Sequence, residues 1–327
     1  MKKVLLANPR CFCAGVDRAV QIVDLCLNRF GPPVYVRKEI VHNRHVVDSL
    51  ARRGATFVDE LDAVPAGALV VFSAHGVSPA VHAEAAKRSL RVIDATCPLV
   101  SKVHLEVLRF VEAGFHIILI GREGHEEVEG TMGHSPESIT LIETAEQARE
   151  KPIPDGRKLM VLTQTTLSVD DTKNVVEALG ERFGHVEFPP TEDICYATQN
   201  RQNAVKAMCD RGIELLLVVG SENSSNAARL VEAAEVRGVR GRLIDNAEGI
   251  EPGWLEGVSL VGVTGGASTP DAVVKSVTDR LRELGAGDVE LCTTAEENTV
   301  FQLPAGFPAS AKRQSHCRRQ RVNRTVG

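Results

Sequence analysis

Three cysteines of this chain stand in the same kind of place, and that recurrence limits the folds open to it. Cys13 follows the apolar run at 4–7, Cys97 follows the run at 91–94, and Cys195 follows short runs at 186–188 and 193–194. Each thiol is therefore predicted where a strand ends and a helix begins. In an open α/β sheet that is where ligands bind, and the N-terminus of the following helix favours the thiolate. One cysteine so placed reads as a buried packing residue. Three of them, one from each third of the chain, suit a soft metal or an iron–sulfur cluster better than disulfides.

Apolar runs of strand length alternate with amphipathic segments: 4–7 then 19–30, 34–36 then 46–52, 69–72 then 80–88. This βαβα grammar predicts an α/β fold of parallel sheets with helices packed on them. It restarts after each of the three cysteines, giving three pseudo-repeated α/β units with small sheets. The predicted organisation is an N-terminal strand at 1–13, units at 14–97, 98–195 and 196–290, a segment at 291–307 near the active site, and a basic tail at 308–327. The first strand has no unit of its own and is predicted to complete the third sheet, with the strand near 288–291 close by. Trp254 and Cys26 read as packing residues.

The repeat extends to the loops. About 29 residues beyond each cysteine comes one polar loop, at 41–45, 124–130 and 220–226, and roughly 60 to 75 residues beyond comes a second, at 73–79, 163–168 and 264–270. Apolar runs lead into these Gly/Ser/Thr-rich loops, and helix-forming segments follow them. The first helical N–H groups lack partners and the helix dipole favours negative charge, so such loops cradle anions. Arranged around one centre they predict a deep pocket for a diphosphate. His42, His75 and His125 come from three of the loops, and Ser224, Ser225, Asn226 and Ser268 from two more. They supply many hydrogen-bond donors and few fixed charges, with imidazolium adding charge where needed.

Three thiolates hold a four-iron cluster at three corners and leave one iron open as a Lewis acid for a substrate oxygen. Cys292 or Cys11 as a fourth ligand would close the cluster and leave only electron transfer. Glu127, two residues past His125, is placed to relay protons, and Thr165 to orient a substrate hydroxyl from across the pocket. Glu126 and Glu129 read as solvated or structural, because extra carboxylates would repel a diphosphate. A zinc hydrolase built on His42, His75 and His125 is a third reading, although no short H-x-x-x-H pair supports it.

Composition narrows the setting. The eight cysteines are scattered through a chain of 327 residues, which in a reducing compartment points to metal or redox chemistry. No stretch is apolar for long enough to span a bilayer, and residues 1–9 leave no room for a signal-peptide core. A cytoplasmic protein without a membrane or nucleic-acid partner is expected, given the net charge of -5. The tail residues Lys312, Arg313, Arg318, Arg319, Arg321 and Arg324 read as a solvated end. Neither a Walker loop nor a helix-opening Gly-x-Gly-x-x-Gly is present, so no nucleotide cofactor is expected.

Seven motifs then carry a resemblance. Asn8-Pro-Arg-Cys-Phe-Cys-Ala-Gly-Val16, Ala74-His-Gly-Val77, Asp94-Ala-Thr-Cys-Pro-Leu-Val100, Glu127-Val-Glu-Gly-Thr131, Thr163-Gln-Thr-Thr-Leu-Ser-Val-Asp-Asp171, Asp193-Ile-Cys-Tyr-Ala-Thr198 and Asn223-Ser-Ser-Asn226 occur in that order. Through about Phe301 the chain resembles the 4-hydroxy-3-methylbut-2-enyl diphosphate reductase family, which closes the non-mevalonate isoprenoid route. The resemblance implies a trefoil of the three units around one [4Fe–4S] cluster held by Cys13, Cys97 and Cys195 with one open iron. It implies that His42, His75, His125, Ser224, Ser225, Asn226 and Ser268 bind the diphosphate, while Thr165 and Glu127 face the substrate's hydroxyl end. The implied reaction is a two-electron reductive dehydroxylation of an allylic diphosphate to isopentenyl and dimethylallyl diphosphate, with reduced flavodoxin or ferredoxin as donor. Three positions depart from the family. Cys11 replaces a usual glycine, so either a close backbone approach is lost or a spare thiol lies beside the cluster; Glu126 replaces a usual proline; and the ending after Phe307 differs.

Overall fold

The computed structural model of the chain describes residues 3–154, 156–305 and 307. The expectations for the basic tail lie outside these residues. The first stretch of the chain is β1 (Lys3–Asn8), α1 (Ala14–Phe30), β2 (Val34–Arg37), α2 (Arg44–Arg52), β3 (Ala55–Val58), β4 (Leu69–Phe72), α3 (Pro79–Lys87) and β5 (Arg91–Asp94). Next come α4 (Pro98–Glu112), β6 (Phe115–Ile120), α5 (Glu126–Met132), β7 (Ile139–Ile142), α6 (Ala145–Glu150), β8 (Lys158–Thr163) and α7 (Val169–Phe183). The third stretch is α8 (Tyr196–Asp210), β9 (Leu215–Val219), α9 (Ser225–Glu235), β10 (Arg240–Ile244), β11 (Leu260–Gly265), α10 (Asp271–Glu283) and β12 (Asp288–Thr293).

The three sheets share one strand order. In each, the first strand lies in the middle with the next two on either side: β3-β2-β4, β7-β6-β8 and β10-β9-β11, all parallel. The middle strands β6 and β9 are buried along their whole length because helices cover both faces, whereas β2 alternates buried and half-buried residues. Along β9, Leu215, Leu217 and Val219 pack with Val274, Val277 and Leu281 of α10, while Leu216 and Val218 pack with Ala204, Val205 and Met208 of α8. β6 repeats the alternation, with Ile117 and Leu119 against α4 and Ile118 and Ile120 against α7. Each such side chain contributes about 1.5–3 kcal/mol on burial, so register is set by these faces.

The segment added beyond the third strand of each sheet is the one that runs on to a cysteine. β5 pairs with β4 and leads to Cys97, and β1 pairs with β11 and leads to Cys13. β1 also pairs with β12, so both ends of the described chain meet in the third sheet. In the second sheet the expected strand at 186–188 is reduced to one parallel bridge, Met160 to Glu187. Pro189 and Pro190 follow at once; they lack N–H donors and end the ladder there.

Side-chain bonds close the units into a ring. Arg44 N–H donates to Ser221 Oγ, joining the first unit to the third; Thr166 Oγ1 donates to Ser225 Oγ, joining the second to the third; and His75 meets Glu126, joining the first to the second. The first and second units also touch backbone to backbone, since a Cβ at Gly130 would lie 3.3 Å from the Gly76 carbonyl. Among the described residues no helix is long and apolar enough to cross a membrane.

Candidate active site

Cys13, Cys97 and Cys195 each occupy the N-cap of a helix, α1, α4 and α8, in extended backbone conformation. Each is fixed by the same two backbone bonds. Its N–H donates into a polar loop, to the carbonyls of Ala267 (3.1 Å), Ala74 (3.0 Å) and Thr165 (2.9 Å), and its own carbonyl accepts from the N–H of Asp17, Ser101 and Gln199. The three thiols are electrostatic neighbours. Burial, then the proximity of Cys13 and Cys195, pushes Cys97 up to about 12, and burial together with Cys13 pushes Cys195 up to about 11. A Cβ added at Gly15 would lie 2.6 Å from Cys97 Sγ and 3.9 Å from Cys13 Sγ, so only glycine fits between these sulfurs.

The donor set fits an iron–sulfur cluster. Thiols whose pKa is raised, as in Cys97 and Cys195, become thiolates when a cationic centre takes them. Helical N–H groups of Leu99 and Val100 reach the Cys97 sulfur, and those of Ala197 and Thr198 reach that of Cys195, as thiolate ligands require. Among the described residues the three sulfurs are not close enough to share one ion; the tight group is His42, His75 and Glu126, with ligand atoms within 4.8 Å. A cluster sets its thiolates wider than a single tetrahedral zinc does. The other two thiols stand apart from this set. Cys11 has φ 64° and its Sγ is 3.5 Å from Asp271 Oδ1 in the core of the third unit, while Cys292 lies on β12 in register with Ala7 of β1.

His42, His75 and His125 come together as predicted. The rings of His42 and His75 stack with centroids 4.0 Å apart, and His125 meets them edge-on at 5.3 and 5.9 Å. His125 Nδ1 accepts from Glu127 N–H at 3.1 Å, so its proton sits on Nε2. Burial, then the charges of His75 and His42, pushes its pKa down to about 3. His125 is thus neutral, not the imidazolium expected from the sequence. Glu126, expected to be solvated or structural, is largely buried and bonded to His75 at 2.9 Å. Burial alone would raise its pKa, but the bond from His75 and the nearby charges of His75, His42 and Lys38 hold it below the usual carboxylate range.

Glu127 and Thr165 form one unit. The Glu127 carboxylate accepts from Thr165 N–H at 2.7 Å and from Thr165 Oγ1 at 3.0 Å. Burial pushes its pKa up to about 7 against those two bonds. Ser224 caps α9 by accepting from Ala227 N–H; Ser225 accepts from Thr166; and Asn226 Oδ1 accepts from Ala267 N–H at 2.8 Å while Nδ2 reaches Thr198. Ser268 Oγ donates to the His42 carbonyl at 2.9 Å. The seven polar residues singled out in the sequence therefore sit on loops that contact one another.

The sequence reading missed four supports. Glu39 accepts from His42 Nδ1 at 3.1 Å and from Asn223 Nδ2 at 2.8 Å. Its i, i+3 spacing to His42 was a usable signal. Arg201, fully buried, donates to the Cys11 carbonyl and pairs with Glu297 at 2.9 Å. An arginine in the interior of a helix carries no such signal.

The LytB protein family model matches residues 4–282. A 4-hydroxy-3-methylbut-2-enyl diphosphate reductase of Rhodococcus jostii is 57% identical over 310 residues, 94% of this chain and 92% of that protein. One from Nocardia farcinica is 56% identical over 304 residues, 93% of this chain and 90% of the other. The solved reductase structure from Plasmodium falciparum superposes with a TM-score of 0.90 at 39% identity, covering 93% of this chain and 96% of that one. A second solved structure, of the terminal enzyme of the non-mevalonate pathway, gives a TM-score of 0.61 at 30% identity, covering 86% of this chain and 100% of that one.

Proposed function

Because this chain belongs to the LytB family, we propose that it is a 4-hydroxy-3-methylbut-2-enyl diphosphate reductase, removing the allylic hydroxyl with two electrons and two protons. The observation that carries the reading is the threefold N-cap placement of Cys13, Cys97 and Cys195, each with its N–H bonded to a carbonyl of a polar loop. These three thiols would hold an iron–sulfur cluster of the [4Fe–4S] type, with no fourth protein ligand. When bound, that group supplies the electrons and an electrophilic iron.

The residues of the chain do the rest. His42, His75, His125, Ser224, Ser225, Asn226 and Ser268 take the diphosphate, with His125 Nε2–H as a ready donor. Pinning the diphosphate fixes the distance from it to the hydroxyl-bearing carbon, so that the hydroxyl reaches Thr165. Thr165 Oγ1 bridges the substrate hydroxyl and Glu127, and Glu127, protonated up to about pH 7, passes a proton through it to the departing oxygen, which leaves as water. The second proton goes to an allylic carbon and gives isopentenyl or dimethylallyl diphosphate, depending on the carbon. Reduced flavodoxin or ferredoxin is the proposed donor, in a cytoplasmic setting.

The test is iron and sulfide analysis with turnover on anaerobically reconstituted protein. Serine at Cys13, Cys97 or Cys195 is expected to lose the cluster and activity. Serine at Cys11 or Cys292 is expected to keep both. Loss of iron from a Cys11 or Cys292 variant would show a fully ligated electron carrier instead.

A further inference from the structure

We infer that Glu39 and Glu126 are positioning residues that couple diphosphate binding to proton uptake, by holding the Nδ1 protons of the stacked pair His42 and His75. The inference rests on the diphosphate reading of the pocket and deepens it. Glu126 Oε2 lies 2.9 Å from His75 Nδ1, and Glu39 Oε2 lies 3.1 Å from His42 Nδ1. An ionised carboxylate only accepts, so both Nδ1 atoms carry the proton. A ring whose single proton is held at Nδ1 presents Nε2 as a bare acceptor. An ionised diphosphate is an acceptor too, so a hydrogen bond to either ring requires a proton gained at Nε2.

The charges around the pair favour that gain only once the anion is in place. Two imidazolium rings stacked at 4.0 Å repel each other, and burial, then the charge of His42, holds His75 below the usual histidine range. Glu126 and Glu39 pull the other way, and a diphosphate on the opposite edge completes a carboxylate–imidazolium–phosphate sandwich. The remaining groups facing the pair are His125, Lys38, Arg122, Ser73, Asn223 and the Glu127 carboxyl, which interacts with His42. His125 stays neutral because its Nδ1 accepts from Glu127 N–H; Lys38 acts on Glu126 and Arg122 on His125; Ser73 Oγ is 3.5 Å from His75 Nδ1; and Asn223 holds Glu39. Glu126 stands where the family usually has proline. Without that carboxylate the His75 proton is free to move to Nε2, where it donates to the anion with no uptake from solvent.

Titration calorimetry of the anaerobic holoenzyme with inorganic diphosphate, in buffers of different ionisation enthalpy, reads the proton count directly. The wild type is expected to take up about one proton more than Glu126→Pro or Glu126→Gln, and its affinity to fall about tenfold more per pH unit on the alkaline side of neutrality. Proline there is the family's own residue, and glutamine preserves the side-chain shape, so folding does not obscure the result. Turnover separates positioning from chemistry: KM at pH 8 should differ roughly tenfold between wild type and Glu126→Pro, with kcat within about twofold. Equal proton uptake in all three proteins overturns the inference while leaving the diphosphate pocket intact. Absence of diphosphate binding to the wild type overturns both. If a chelator abolishes binding to the wild type alone, His42, His75 and Glu126 hold a cation, and the proton-coupling inference fails.

Discussion

At Cys11 the backbone adopts φ 64°, a left-handed conformation that glycine reaches without a Cβ penalty. The family's usual glycine at this position follows from that angle. The thiol offsets the strain by packing against Gly265 and Asp271 in the third unit's core. Cys11→Gly should therefore leave stability within about 1 kcal/mol of the wild type, with iron and sulfide unchanged. A urea midpoint shifted by far more, or lost iron, would contradict this. Glu127 poses the opposite case, a carboxyl kept protonated by burial until about pH 7. As a proton donor it works in its acid form, so kcat should decline as pH rises through about 7. Glu127→Gln should keep the cluster's absorbance and lose at least about 100-fold in kcat. A variant retaining activity within about twofold would remove Glu127 from the proton path.

Elements place the thiols through backbone bonds that recur three times, and α8 adds a buried charge to the scheme. Arg201 has no solvent exposure and spends its donors on Ala197 O, Cys11 O and the Glu297 carboxylate. Glu297 belongs to the segment after β12, which also accepts from Arg18 Nε at the Gln302 carbonyl. This strap bonds beside Cys11 and over α8. Removing one partner of a buried pair leaves an uncompensated charge, so Glu297→Ala should destabilise by about 3–5 kcal/mol, read from chemical denaturation. A loss below about 1 kcal/mol would mean that Arg201 finds another partner or water. The strap had no hydrophobic period to announce it, and the bridge at Glu187 had too much: an apolar pattern promised a strand that Pro189 and Pro190 cut short.

Across the whole molecule the seam between the first and second units is lined by histidines as well. His104 of α4 packs against His134, with centroids 4.2 Å apart and the rings tilted by 40°, and presses against Gly76. Burial, then the charge of His134, pushes His104 down to about 4. The unfolded chain takes up this proton near pH 6.5 and the folded one does not until about pH 4. The contribution is thus fully present above pH 6.5 and lost as pH falls toward 4, by up to about 3 kcal/mol. His104→Gln should flatten the fall in urea midpoint between pH 7 and pH 5; parallel falls in variant and wild type would show that other groups carry the acid sensitivity.

The sequence alone was sufficient for the α/β class with its three small parallel sheets and for the recurring place of Cys13, Cys97 and Cys195 at helix N-caps. All of these rest on local periodicity and on residue types that recur at similar spacings, which a linear chain displays openly. Tertiary structure decided which atoms carry protons. Glu126 reads as a carboxylate that a diphosphate would repel until His75, far away in sequence, is brought to 2.9 Å. Likewise the neutral state of His125, the acid form of Glu127 and the pairing of Arg201 depend on burial and on partners supplied by other units. Protonation follows local dielectric and distance, and neither exists before the chain folds.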